Sequence, residues 1–164
     1  MILGLSIAAF TIFHVILSLV GIGSGFVAVF GLISNRLLPR WTALFLIATI
    51  LTSVTGFLFP FHGFDPAIGV GILSLIVLLL ATVALYGGKL SGGWRGTYVI
   101  AAVIAQYFNV FVLFAQLFAK VPALKAIAPT QSSPAFGATQ LVVLVAFVGL
   151  AIRSFRGFRG YWPA

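Results

Sequence analysis

Few side chains in this sequence could do chemistry. It holds two histidines, His14 and His62, one carboxylate, Asp65, and neither Glu nor Cys. Two imidazoles on different helices are the minimum for bis-histidine ligation of haem b, because cofactor ligands in bundles come from facing helices. Depth argues against the pair: His62 follows Pro60 at the edge of an apolar stretch, whereas His14 stands well inside one. Zinc or copper asks for more ligands than two His and one Asp at this spacing. A second chemistry is nucleophilic, with His62 as general base, Asp65 orienting it, and Ser132 or Ser133 attacking. No Gly-x-Ser-x-Gly elbow accompanies these residues. The third reading is structural. His14 is then a neutral, hydrogen-bonded residue of a helix interface or pocket wall, able to sense protons because imidazole titrates near neutrality. In that reading His62 and Asp65 form a solvated cap, with Asp65 capping a helix that opens at Pro66.

Amides form a second set. Gln106, Asn109 and Gln116 fall within about 80° of one another on a helix, and Tyr98 shares that sector. His14, Ser18, Gly21 and Gly25 share another helical face, and Thr42, Thr49, Thr52, Ser53 and Gly56 a third, while Thr139 and Gln140 stand together near residue 140. Amides in an apolar medium are costly without partners, so the stripe should point into a bundle. There it acts either as interhelical glue or as the wall of a cavity for a lipid, a quinone or a water chain.

Composition removes most other functions. With no Glu and one Asp, paired-carboxylate glycoside hydrolysis, di-iron and calcium sites are excluded. With no Cys, thiolate metal centres, iron–sulfur clusters and redox disulfides are excluded as well. The net charge is +8, yet the nine cations sit in short gaps between apolar runs rather than in a basic patch. That arrangement writes membrane topology, so no nucleic-acid partner is expected.

The elements that must position these residues are long and apolar. The chain of 164 residues is 62% hydrophobic and 6% charged, with a mean hydropathy of +1.26. Five apolar stretches are expected as helices, at about 3–33, 42–60, 67–86, 97–119 and 135–152. Each approaches or exceeds the ~18–20 residues that span a bilayer core, and only helices or closed barrels satisfy their backbone there. The runs do not alternate as barrel strands do. The first stretch is read as a retained helix, not a cleaved signal. It must tilt, protrude or bend near Gly21–Gly25.

The gaps sort the cations into two groups. Arg36, Arg40, Lys89, Arg95, Arg153, Arg156 and Arg159 fall on one side, Lys120 and Lys125 with Asp65 on the other. The positive-inside rule then places the N-terminus outside and the C-terminus in the cytoplasm. Trp41, Trp94, Trp162, Tyr86, Tyr98 and Tyr161 mark the cytoplasmic boundary as an aromatic belt. The glycine-rich gap 87–93 reads as a flexible linker, while Pro122, Pro129 and Pro134 argue for an ordered outer loop over 120–134. Pro122 suits the first turn of a short interfacial helix with Val121, Leu124 and Ile127 as its apolar strip. The phenylalanines at 57, 59, 61 and 64 read as interfacial anchors.

The expectation is therefore an all-α, polytopic transmembrane bundle of five helices, one domain over 1–164, in a bacterial-type inner membrane. Its expected function is non-enzymatic. It binds a hydrophobic small molecule, a quinone or a membrane lipid, or a membrane-protein partner, in a polar pocket open to the outer leaflet. His14, Asn109, Gln116 and Gln140 would supply the polar contacts, with no metal or cofactor. The alternatives are a haem-binding electron carrier using His14 and His62, and an accessory subunit of a larger membrane complex.

Overall fold

The computed structural model describes residue 2 and residues 4–60 and 66–160, and these are helical with no strand. Six α-helices follow in order: α1 (Ile7–Ile33), α2 (Pro39–Gly56), α3 (Pro66–Thr82), α4 (Gly93–Lys120), α5 (Pro122–Ile127) and α6 (Pro134–Gly157). A π-helical turn, Val83–Gly87, extends α3. Four elements are long and apolar enough to cross a membrane: α1, Ile68–Gly87, α4 and α6. The remaining long helix, α2, has 18 residues, ~27 Å of rise. It is more polar, opening on Pro39, Arg40 and Trp41 and carrying five hydroxyl residues from Thr42 to Thr55.

Local chemistry sets the ends. Ser6 caps α1, its Oγ accepting the Ala9 N–H at 3.2 Å, so the helix begins at Ile7 rather than at residue 3. Proline occupies the first turn of α2, α5 and α6, where its missing N–H costs nothing. The expected short helix after Lys120 is present as α5. Only Leu124 of its apolar strip turns inward, against Phe118 and Phe136, while Ile127 stays exposed. α6 runs to Gly157, past the expected limit of 152, because Ile152 and Phe155 continue its apolar stripe.

α1 and α6 are neighbours that run parallel, since Gly157 at the end of α6 meets Ile33 at the end of α1. α1 packs on α2, α4 and α6, and α3 fits between α2 and α4. The ring is thus α1–α2–α3–α4–α6, with α1 and α4 touching across the middle. One core joins Leu32, Phe45, Leu78, Leu85 and Tyr98 between α1, α2, α3 and α4. A second joins Val29, Val103, Val110, Val143 and Phe147 between α1, α4 and α6. α1 is continuous through the Gly21–Gly25 segment. That segment is a contact surface, with Gly21, Ser24 and Gly25 buried.

Two further expectations change. The gap 87–93 is wound, not slack: Gly88 N–H bonds the Val83 carbonyl at 2.8 Å and Leu90 N–H the Ala84 carbonyl at 3.2 Å. Lys89 and Leu90 are both left-handed, at φ 46° and 58°, a conformation costing a non-glycine residue about 1–2 kcal/mol. Burial of the Leu90 side chain in the first core offsets that strain. Tyr98 is no belt residue. It is fully buried, with its hydroxyl beside Thr42, whereas Trp41, Trp94 and Tyr86 are exposed as the belt requires. Tyr161 and Trp162 lie outside the described residues.

At the end of the bundle where the arginines gather, the chain after α6 is tied down. Phe158 is fully buried, and its carbonyl accepts from Arg95, whose guanidinium also bonds the Phe155 carbonyl at 3.2 Å. The Arg95 guanidinium lies 5.0 Å from the centre of the Phe155 ring. Arg159 N–H donates to Asn35 Oδ1 at 2.9 Å. Gly157 passes so close to the Ile33 carbonyl that any Cβ there would collide with it.

Candidate functional site

Polar residues of α1, α2 and α4 form a seam inside the bundle. Its closed part is central. Gln106 is fully buried and its Nε2 donates to the Ile22 carbonyl at 2.8 Å. Its Oε1 occupies the space over Gly25, where a Cβ would overlap it. Asn109 Nδ2 donates to Thr49 Oγ1 at 3.0 Å and lies 3.5 Å from Gln106 Oε1. Gly21 faces Thr49 across the same contact. The small face of α1 thus lets a glutamine of α4 and a threonine of α2 meet at its backbone, the close approach that small residues permit.

The open part lies toward Lys120. His14 Nδ1 is 2.8 Å from Thr55 Oγ1 on α2. The imidazole stands edge-on to Phe59, 5.2 Å between ring centres, and Phe59 in turn packs on buried Phe10 at 5.1 Å. Among the described residues Nε2 has no hydrogen-bond partner. The Lys120 ammonium lies close enough to act on His14 electrostatically. Between the two parts, Thr52 Oγ1 is buried without a hydrogen-bond partner, on the same i, i+3, i+6 row of α2 as Thr49 and Thr55.

One face of α4 records the change from closed to open. Gln106, Asn109, Gln116 and Lys120 share it. Gln106 is buried, Asn109 half-buried, and Gln116 and Lys120 exposed. Exposure on this face therefore rises from Gln106 toward the α4–α5 junction.

The four expected contact residues do not converge on one point. His14 pairs with Thr55, Asn109 has its amide engaged by Thr49, and Gln116 is exposed further along α4. Gln140 belongs elsewhere: its Nε2 donates to the Phe111 carbonyl at 3.0 Å, on the α6-facing side of α4, about half a turn away. Its Oε1 is buried there without a partner. His62 and Asp65, needed for the haem and general-base readings, lie outside the described residues, as do Phe61 and Phe64. Ser132 and Ser133 bond Thr130 within the loop before α6. No group of three or more His, Cys, Asp or Glu that could hold a metal occurs among the described residues.

Two participants escaped the sequence reading. Thr55 is one, because it sits outside the threonine sector of α2 and only helix packing aims it at His14. Lys120 is the other, read from the sequence as a topology signal alone.

Fold and composition define the class, a helical-bundle membrane protein. No family model, no curated protein and no solved structure matches the chain.

Proposed function

We propose that this chain is a small integral membrane protein of five spans that binds an amphipathic ligand by its polar head in the crevice between α1, α2 and α4. The ligand class is a lipid or a hydrophobic small molecule such as a quinone, and the protein performs no reaction on it. α2 is the fifth span, its threonines turned to partners in the bundle. With seven cations at one end and two at the other, the crevice opens to the outer leaflet of a bacterial-type inner membrane. The N-terminus is then outside and the C-terminus cytoplasmic.

The observation that carries this reading is the graded exposure of one polar face of α4, opposite an imidazole whose Nε2 is free among the described residues. A seam serving only as glue would close along its whole length, because unpaired amides in hydrocarbon are costly. Here Gln116 and His14 Nε2 offer a donor and an acceptor to one ligand head, and Phe10, Phe13 and Phe59 line the adjoining apolar surface.

The test is extraction of co-purifying lipids and quinones from the protein in mild detergent, quantified by mass spectrometry. His14→Leu combined with Gln116→Leu should lower the retained ligand about tenfold, as loss of roughly 1.4 kcal/mol would. The unfolding temperature should move little. Unchanged retention, or retention lost only because the variant unfolds, overturns the reading in favour of packing.

A further inference from the structure

The opposite end of the bundle carries a second feature that the crevice does not use. All six arginines of the chain, Arg36, Arg40, Arg95, Arg153, Arg156 and Arg159, belong to it by chain order and contact. The sequence contains one acidic side chain, Asp65, which precedes α3, so no side-chain carboxylate among the described residues balances these cations. Arg95 spends its donors on the carbonyls that end α6. Arg156, one residue beyond the ring that Arg95 covers, is exposed and makes no hydrogen bond among the described residues.

Arg156 also closes a groove. A shallow depression of about 440 Å³ between α4 and α6 is lined by Ile100, Val148, Ala151, Ile152, Phe155 and Arg156. Apart from Arg156 the lining is apolar. From Val148 to Arg156 it runs ~12 Å along the helix axis, the length of the upper half of an acyl chain. A neutral lipid would use the groove but leave the guanidinium without an anion, and a zwitterionic one would bring, with its phosphate, an ammonium that the uncompensated arginines at this end repel. An anionic headgroup satisfies both, since guanidinium binds phosphate oxygens in a paired, charge-assisted geometry.

We propose that the α4–α6 groove is a binding site for one anionic phospholipid, its acyl chain along Val148, Ile152 and Ile100 and its phosphate on Arg156. The site is independent of the His14 crevice, at the other end of the molecule and on a different face of α4.

Native mass spectrometry of the full chain in detergent, titrated with phosphatidylglycerol or phosphatidylcholine, tests it. Phosphatidylglycerol should be retained in preference. Arg156→Gln should weaken that retention about fivefold, the worth of one cation at a lipid surface. Ala151→Trp, which fills the groove, should weaken both lipids alike. Arg36→Gln, at the same end but away from the groove, should change little. Equal retention of the two lipids overturns the proposal. So does an Arg36→Gln effect as large as that of Arg156→Gln, because the cations would then act only as a diffuse field. Unfolding temperatures of the variants separate loss of the site from loss of the fold.

Discussion

The two ends of the bundle are built on different principles. At the arginine-rich end, backbone carbonyls and amides from distant parts of the chain are tied by side chains: Arg95 holds the end of α6, and Asn35 holds Arg159. The linker 87–93 is wound against the same core through Leu90. At the His14 end, one side-chain pair, His14 with Thr55, joins α1 to α2, and the polar face of α4 passes into exposure. Between the ends lies the Gln106 seam, where three helices meet at the backbone of α1. A bundle tied at one end and in the middle can admit a ligand at the other without losing its fold. On the proposed function, stability and binding then rest on different residues.

The largest effect should come from the seam. Gly25→Ala forces Gln106 Oε1 and the Phe45 ring out of their places. A cost of about 2–3 kcal/mol is expected for such overpacking, measured by reversible unfolding in mixed micelles. Gln106→Ala alone should cost about 1–2 kcal/mol through the lost interhelical bond and the space left behind. The double variant should be more stable than the sum of the two predicts, by about 1 kcal/mol, because the second change removes the atom that the first displaces. Strict additivity would mean that α1 and α4 do not meet at this point.

A smaller effect is expected at the tied end. Arg95→Gln removes two charge-assisted hydrogen bonds and the contact with Phe155, worth about 1–2 kcal/mol together. Its clearest signature is local: amide exchange over 157–160 should accelerate while the seam stays protected. Uniform acceleration would show that this end is not a separate lock.

The smallest effect belongs to the open end. His14→Leu gives up one interhelical hydrogen bond, about 0.6 kcal/mol on average in membrane bundles. It should therefore leave the unfolding transition almost in place. A loss of several kcal/mol would make His14 a structural pillar and erase the contrast between the ends.

Much of the architecture could be read without coordinates. Composition identified a membrane-type chain, apolar run length located the long helices, and Pro66 and Pro122 marked the starts of α3 and α5. Periodicity put Gln106, Asn109 and Gln116 on one face of α4, of which Gln106 is buried, Asn109 half-buried and Gln116 exposed rather than turned into the bundle. The helix positions and the shared face are local properties: a helix fixes the angle between its own residues, whatever surrounds it. Four outcomes were not local. Gln140 turned to the Phe111 carbonyl rather than to His14, Thr55 met His14, Tyr98 entered the core, and residues 87–93 wound into a strained turn. Each depends on how one helix is rotated and set in depth against another, which is decided by close packing at Gly21, Gly25 and Gly157 and by the total burial it permits. The sequence by itself determined which faces are polar and where the charges gather. Only the tertiary structure decided which of those faces close on one another and which stay open, because closure is a property of neighbouring helices and not of any one of them.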